Sequence, residues 1–183
     1  AKLIQVEKEM IILAFKDAQN GYRKKIILKK DSSRRMLCIP KDFLKNIQNK
    51  IYQKLLQKVP LPSCVYGGIR GRSIITNARC HIGKEWVANI DIKDFFDSVH
   101  YSRILKVFRA LNCSEEILKI LTRLVTYNYC LPQGAPTSPY LSNLILFNLD
   151  KRFVTLCKNN GIMYTRYFDD ITFSGGKRVK ADK

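Results

Sequence analysis

Two adjacent aspartates, Asp169 and Asp170, stand between two short, largely apolar segments near the end of the chain. The alternation of residue types on both sides predicts two β-strands joined by a tight turn. Neighbouring ionised carboxylates repel each other unless a cation lies between them, and a hard divalent ion such as Mg²⁺ prefers oxygen ligands. An ordinary turn with two aspartates is the simpler interpretation of these two residues alone.

A third carboxylate, Asp91, favours the metal interpretation. It lies near the end of the segment 86–92, Trp-Val-Ala-Asn-Ile-Asp-Ile, whose apolar character predicts a buried strand. A buried carboxylate is unfavourable unless it is paired or bound to a metal. If this strand lies beside the hairpin, Asp91, Asp169 and Asp170 meet. Two metal ions held there could activate a hydroxyl nucleophile and stabilise a leaving pyrophosphate.

The charge of the chain indicates a class of substrate. The net charge is +18, and residues 1–90 hold 19 lysines and arginines against 6 aspartates and glutamates, whereas residues 91–183 hold 14 against 9. Such an excess attracts polyanions, of which nucleic acid is the best candidate, although a solvated basic surface or a membrane surface would also fit. Together with the three carboxylates, this charge suggests nucleotidyl transfer on a nucleic-acid primer.

Other features argue against several classes of protein. No apolar run approaches the roughly 18 residues that span a membrane, and no signal peptide is visible. The 6 cysteines form no C-x-x-C pair and have only His81 and His100 as companions, which argues against a zinc site or a disulfide framework. We therefore expect a cytoplasmic protein with reduced cysteines and no membrane partner.

The order of predicted elements gives an α+β fold. The first part holds a helix, a basic β-hairpin at 24–39 and a second helix at 43–55. The second part holds the strand 86–92, two helices, a long helix and the hairpin with the paired aspartates. Ser138 is predicted to cap the long helix, and Gly161 to end it. These strands, with helices on one face, predict an antiparallel sheet backed by helices.

Three ordered segments resemble motifs of one enzyme family. Tyr167-Phe-Asp-Asp is similar to the Y-x-D-D signature of reverse transcriptases, and Asp91-Ile-Lys-Asp-Phe-Phe resembles their first catalytic motif. Leu131-Pro-Gln-Gly-Ala-Pro-Thr-Ser-Pro is similar to their L-P-Q-G-x-x-x-S-P motif. Asn77-Ala-Arg-Cys-His resembles the N-A-x-x-H element of bacterial retron reverse transcriptases, and Arg70-Gly-Arg-Ser fits the retron and group II intron branch. The resemblance covers about residues 20–175.

The resemblance implies the fold of a right-hand polymerase. Its fingers would occupy residues 1–84 and its palm residues 85–183, with the palm formed by the antiparallel sheet. Members of the family continue with a primer grip, a thumb and, in retron enzymes, a V-T-G element. We expect these parts after the last residue of this chain, which would then be a fingers and palm portion with the thumb absent.

The resemblance also implies a site for two Mg²⁺ ions, with Mn²⁺ as a substitute. Asp91 and Asp169 would ligate both ions, Asp170 would assist, and the backbone carbonyl of Ile92 would be a further ligand. Phe96 matches the aromatic steric gate of the family, which leaves no room for a 2′-hydroxyl and so favours dNTPs over rNTPs. Core packing is the alternative for this ring.

The incoming dNTP would have further contacts in two places. Lys30 and Arg35 on the basic hairpin would grip the triphosphate, with the cations at positions 29 and 34 as close competitors. Gln133 and Gly134 open the loop before the long helix. Glycine allows the backbone to approach a nucleotide closely, and the glutamine amide can contact sugar or base edges.

Contacts to template and primer are implied for basic, polar and aromatic residues in or near the motifs. Arginine suits phosphates because of its planar fork of donors. His81 could equally be a core histidine, and Phe168 stands where retron enzymes usually have alanine, which would also fit a defence-associated relative. The nucleic-acid-binding set comprises Arg70, Arg72, Asn77, His81, Tyr167 and Phe168.

The implied function is RNA-directed DNA synthesis, in which dNTPs extend a primer 3′-hydroxyl on an RNA template. A group II intron or phage-defence reverse transcriptase is an alternative within the family, and antiviral defence is a role that retron-like enzymes would share. A non-catalytic nucleic-acid-binding module with a palm fold is an alternative of another class. A structured non-coding RNA and an effector protein would be additional partners.

Overall fold

The computed structural model describes residues 4–28, 32 and 34–176. Helices and strands alternate irregularly along the chain, which confirms the α+β class. The helices are α1 (Lys8–Lys16), α2 (Asp42–Lys54), α3 (Ile74–Arg79), α4 (Phe95–Ser98), α5 (Tyr101–Ala110), α6 (Glu115–Leu124) and α7 (Ser138–Asn159). The strands are β1 (Tyr22–Leu28), β2 (Arg34–Pro40), β3 (Trp86–Asp91), β4 (Met163–Tyr167) and β5 (Asp170–Gly175). Among the described residues, no helix has both the length and the apolar composition that crossing a membrane requires.

The chain divides into two compact units that do not follow the chain order. The first unit comprises Ala1–Pro60 and Asp94–Leu141, and the second comprises Leu61–Lys93 and Ser142–Lys183. Each unit is therefore built from two separate stretches of sequence. The division into fingers at 1–84 and palm at 85–183 rests on the family resemblance and stays a prediction.

The first unit combines packed helices with a basic hairpin. α6 contacts α1, α2 and α5, and side chains such as Ile51, Phe108 and Leu118 are fully buried in this unit. β1 and β2 pair antiparallel from Tyr22 opposite Pro40 to Leu28 opposite Arg34, which confirms the predicted hairpin at 24–39. Lys30, predicted to contact the triphosphate, lies outside the described residues.

The second unit is an antiparallel sheet with the order β3-β5-β4. Val65, Cys157, Tyr164 and Ile171 form its buried core. Phe153 of α7 packs edge-on against the Phe173 ring of β5, with 5.4 Å between ring centroids. Packing of the second half of α7 on one face of the sheet confirms the predicted sheet backed by a helix.

The burial predicted for β3 is wrong. In the described part of the chain β3 pairs with β5 alone, so it is an edge strand, and Val87 and Ile90 are 51% and 54% exposed. Asp91 is exposed as well. The apolar composition of the segment was misleading because an edge strand shares the β-branched residues of a central one. Burial of Asp91 therefore gives no support for a metal site, and any support must come from the residues beside it.

One end of α7 differs from the prediction and the other agrees with it. The Leu141 N–H donates to the Thr137 carbonyl at 3.0 Å, so the helix begins at Ser138 and Thr137 precedes it. The Ser138 hydroxyl instead donates to the Pro132 carbonyl at 2.6 Å. The N-cap prediction for Ser138 is thus wrong by one residue, whereas Gly161 ends the helix as expected with a positive φ of 66°.

Candidate active site

Three aspartates meet at one end of the sheet in the second unit. β3 and β5 pair with Asp91 opposite Asp170, which is the last pair of their register. The Ile92 N–H donates to the Asp169 carbonyl at 3.4 Å, so the chain beyond β3 stays bonded to the turn between β4 and β5. Directly opposed residues in an antiparallel pair have Cβ atoms about 5 Å apart. Backbone pairing therefore brings the carboxyl groups of Asp91 and Asp170 close together, with Asp169 next to them in the chain.

The electrostatics of Asp170 reflect this proximity. Partial burial raises the pKa of its carboxyl, and the negative charges of Asp169 and Asp91 raise that pKa further. Opposed like charges destabilise a strand pair. A cation between the carboxylates would remove this repulsion and would hold all three groups ionised.

The donors suit a hard divalent cation. Mg²⁺ takes one or two protein carboxylates and fills its remaining positions with water and substrate phosphates. Asp91 and Asp170 are exposed and Asp169 is half-buried, so oxygens from outside the chain have access. Within the described ranges, no group of three or more histidine, cysteine, aspartate or glutamate side chains is already arranged around a metal position. The exposure of Asp91 and Asp170 would leave room for water and substrate oxygens around an ion bound to these carboxylates.

The turn that carries Asp169 has an unusual backbone. Phe168 has a φ of 58°, in the left-handed region that L-residues other than glycine and asparagine rarely adopt. Gly67 packs directly against it, because a Cβ on Gly67 would lie 2.6 Å from the Phe168 amide nitrogen and 2.9 Å from its Cγ. The Tyr66 N–H donates to the Arg166 carbonyl at 2.7 Å and so holds this segment alongside β4.

A buried ion pair lies beneath the same turn. The side chains of Arg166 and Asp150 are both 0% exposed, and Nε and Nη2 of the arginine donate to the two carboxylate oxygens at 2.8 and 2.6 Å. Nη1 donates to Oδ1 of Asn143 at 2.9 Å and to the Phe168 carbonyl at 2.7 Å. Burial and the bond to Asp150 raise the pKa of the Tyr164 hydroxyl, which donates to that carboxylate at 2.6 Å.

This network was not predicted from the sequence. The one signal in the sequence is Arg166 itself. This charged residue lies two positions after Tyr164, so the two share one face of a strand predicted to be largely apolar. A charge on the buried face of a strand requires a partner. Its partner, Asp150, lies on a helix predicted as apolar, and nothing local in the sequence connects the two residues.

His81 joins β4 and β5, the two strands that flank the turn with Asp169. The ring is 8% exposed, and its two nitrogens lie 2.6 Å from Oγ of Ser174 and 2.7 Å from Oγ1 of Thr165. Both nitrogens are thus engaged within the second unit, and an RNA contact would have to displace one of these bonds. The geometry favours the structural interpretation of this residue. Burial, and secondarily the charge of Lys84, lower its pKa below 6.5.

Acidification should therefore destabilise the chain through His81. Because its pKa is lowered in the folded state, the unfolded chain binds the proton more readily, and stability falls as the pH drops below about 6.5. His81→Gln should flatten that part of the pH profile and lower stability at pH 7.5 by about 2 kcal/mol, since two buried hydrogen bonds are lost. Thermal unfolding between pH 7.5 and 5.5 measures both effects. An unchanged slope in His81→Gln would refute the assignment.

The other residues predicted to contact nucleic acid differ in how accessible their side chains are. Arg70 is exposed. Arg72 stacks over the Tyr66 ring at 5.4 Å and donates to three backbone carbonyls of the preceding loop, including that of Ser63 at 3.0 Å. The Asn77 side-chain oxygen is buried and has no hydrogen-bond partner among the described residues. The structure thus presents Arg70 to solvent and uses Arg72 to hold a loop.

Tyr167 and Phe168 contact each other beside the aspartates. Their ring centroids lie 5.1 Å apart at an interplanar angle of 73°. Both residues are half-buried, so part of each ring is accessible at the turn.

The predicted dNTP contacts that the structure describes all lie in the first unit. Arg35 is exposed on β2. The Gln133 carbonyl accepts a hydrogen bond from the Cys38 N–H at 2.7 Å, and Gly134 has a φ of 106°, a conformation that favours glycine. Phe96 is half-buried, with its ring centroid 5.6 Å from that of the buried Phe95. The loop at 133–134 is thus bonded to the basic hairpin within this unit.

Comparisons with known proteins agree on one family. The family model described as reverse transcriptase (RNA-dependent DNA polymerase) matches residues 27–182. The chain is 35% identical over 185 residues to the retron Ec86 reverse transcriptase of Escherichia coli, with all of the chain and 58% of the relative covered. It is 36% identical over 179 residues to the retron Mx162 reverse transcriptase of Myxococcus xanthus, with 88% of the chain and 37% of the relative covered.

A solved structure supports the fold. Telomerase from Candida albicans, determined in complex with a fragment of telomeric RNA, superposes with a TM-score of 0.57 over 85% of the chain and 38% of the telomerase chain, at 13% identity. Such low identity supports the fold alone. The chain spans 58% and 37% of the lengths of the two retron relatives, so it corresponds to roughly half of such a protein.

Proposed function

The chain belongs to the reverse transcriptase family, and we propose that it carries the catalytic site of a retron-type RNA-directed DNA polymerase. The observation that carries this proposal is the strand register that sets Asp91 opposite Asp170, next to Asp169. Relatives of the retron type provide the remaining support. The proposed reaction joins a primer 3′-hydroxyl to the α-phosphate of a dNTP and releases pyrophosphate.

The three aspartates would act through charge. When bound, two Mg²⁺ ions, or Mn²⁺ in their place, supply Lewis-acid activation of the primer hydroxyl and neutralise charge on the leaving pyrophosphate. Asp91 and Asp169 would hold these ions together with the Ile92 carbonyl, and Asp170 would assist. The open position of the carboxylates supports this role, because substrate oxygens must reach the same ions.

The residues of the first unit would select and hold the nucleotide. We assign the triphosphate to Lys30 and Arg35 on the basic hairpin, and the sugar and base edges to Gln133 and Gly134. Phe96 would be the steric gate against a 2′-hydroxyl. The half-buried position of its ring supports this assignment because part of the ring remains accessible.

The polyanionic partners would be an RNA template and its primer. Arg70 is the best placed of the predicted contacts, because it is exposed and has a charge that suits phosphates. Tyr167 and Phe168 would contact the primer end. A structured non-coding RNA, an effector protein and a role in antiviral defence are proposed on the retron relatives alone. The six cysteines are free, which supports a reducing, cytoplasmic location.

Primer extension tests the proposed function. The chain is mixed with an RNA template, a labelled DNA primer, dNTPs and either Mg²⁺ or Mn²⁺. We expect primer extension that requires the divalent ion and the RNA template. RNA binding without extension, under conditions where a retron relative extends the same primer, would support a binding module instead.

The steric gate gives a sharper prediction in the same assay. Phe96→Ala should raise the efficiency of rNTP incorporation relative to dNTP by about tenfold or more, because a hydroxyl-sized space opens beside the sugar. Phe43→Ala, on α2, is the matched control and should keep the wild-type preference. Unchanged sugar selectivity in Phe96→Ala would assign this ring to the core.

A further inference from the structure

The buried arginine of β4 has a donor directed away from its ion pair. We propose that Arg166 is a positioning residue for the catalytic turn: its guanidinium, clamped by Asp150 and Asn143, holds the Phe168 carbonyl and so fixes the backbone that presents Asp169. This inference rests on the proposed function, because it assigns a purpose to the orientation of a metal-binding carboxylate.

Stability alone does not account for the pair. Burying two charges requires their full desolvation, and apolar side chains of similar size often stabilise a fold equally well or better. Arg166 and Asp150 are nevertheless both 0% exposed. A buried charged residue can serve a functional segment through its remaining hydrogen bonds. One hydrogen bond of Arg166 reaches the turn with the paired aspartates.

The geometry of the guanidinium explains why arginine occupies this position. Two donors engage the Asp150 carboxylate, which the Tyr164 hydroxyl also holds, so the plane of the fork is fixed. The two hydrogens of Nη1 are then directed to Asn143 and to the Phe168 carbonyl. Lysine has one nitrogen and no planar fork, so it could not serve these partners together.

Holding the Phe168 carbonyl fixes the position of the next residue. That carbonyl belongs to the same planar peptide group as the Asp169 nitrogen, so its orientation sets where the Asp169 side chain begins. The following carbonyl, that of Asp169, accepts a hydrogen bond from the Ile92 N–H at 3.4 Å. Asp169 is therefore held through the peptide groups on both of its sides, one by Arg166 and one by the strand that carries Asp91.

The opposite side of the turn is supported through the same network. Asn143, which accepts from Arg166, donates through Nδ2 to the Gly67 carbonyl at 2.8 Å. Gly67 packs against the Phe168 amide nitrogen. The left-handed Phe168 is thus enclosed between the arginine and Gly67, which keeps a strained residue in a single conformation.

Mn²⁺ binding separates positioning from simple stability. Mn²⁺ affinity is measured by EPR titration for the wild type, Arg166→Lys, Asp169→Asn and the double variant Arg166→Met/Asp150→Leu, with thermal unfolding of each. The double variant removes both buried charges together, so we expect it to unfold near the wild-type temperature. We expect Mn²⁺ to bind about tenfold more weakly to it and to Arg166→Lys, as when outer-shell partners of a metal site are removed. Amide hydrogen exchange at Ile92, whose N–H donates to the Asp169 carbonyl, should accelerate in both variants, whereas exchange at Phe173 should not.

The outcomes distinguish this inference from the proposed function. Wild-type Mn²⁺ affinity and unchanged Ile92 exchange in a folded Arg166 variant would overturn the positioning role, provided that Asp169→Asn loses the ion. If Asp169→Asn binds Mn²⁺ as tightly as the wild type, the metal site itself fails and the proposed function with it. Should the double variant not fold, Arg166→Lys decides the question by the same two measurements.

Discussion

Asp169→Asn should lower the rate of primer extension at least about 1,000-fold, because a transition state deprived of its metal loses several kcal/mol of charge stabilisation. The asparagine keeps the size of the side chain and the hydrogen bonds of the turn backbone. It removes one of three negative charges that repel one another at this end of the sheet, so the fold should be retained. Nucleic-acid affinity should stay near the wild-type value, since the basic residues are unchanged.

Single-turnover extension with saturating dNTP and Mg²⁺ measures this loss, and a filter-binding titration measures the RNA affinity. Asp42→Asn, an exposed aspartate in the first turn of α2, is the matched control and should extend the primer at the wild-type rate. Extension by Asp169→Asn within tenfold of wild type would remove this residue from the metal site.

Gly67→Ala should be the most damaging single-methyl change near the turn. The added Cβ would lie 2.6 Å from the Phe168 amide nitrogen, a backbone atom that cannot rotate away, so the turn or the Gly67 segment must move. Such overpacking costs about 1–3 kcal/mol of stability. If this turn carries the proposed catalytic site, a displacement of about 1 Å can lower the rate by about 100-fold, and we expect a loss of that size.

Thermal unfolding and single-turnover extension measure the two consequences. Gly176→Ala is the matched control, because a Cβ at Gly176 has nothing within 4 Å, and it should be neutral in both assays. A Gly67→Ala variant with wild-type stability and rate would mean that the turn tolerates displacement. The tight packing of Gly67 against Phe168 would then have no effect on primer extension.

The hairpin of β4 and β5 was predictable from local patterns. Two apolar strands around an Asp-Asp turn, and a long helix ended by Gly161, depend on residues that are adjacent in sequence. The ordered motifs then indicated the family, because each motif consists of side chains that lie within a few residues of one another. The metal hypothesis required that the strand with Asp91 lie beside the hairpin, and the strand register agrees with this condition.

The environment of these elements was not predictable. An apolar strand does not reveal whether it lies at the edge of its sheet, and β3 was therefore expected to be buried. The partners of Arg166 and His81 are distant in sequence: Asp150 lies 16 residues from Arg166, and Thr165 and Ser174 lie 84 and 93 residues from His81. Such contacts arise from the topology of the second unit, which local periodicity does not encode.

The proposed function is tested most directly by asking whether Asp91 and Asp169 share a divalent ion. Mn²⁺ is titrated into the wild type, Asp91→Asn and Asp42→Asn, each in the presence of primer–template and a non-hydrolysable dNTP, and bound Mn²⁺ is counted by EPR. We predict tight Mn²⁺ binding by the wild type and Asp42→Asn, and loss of this binding in Asp91→Asn, on the strand opposite the paired aspartates. Equal Mn²⁺ affinity in Asp91→Asn and the wild type would contradict this prediction.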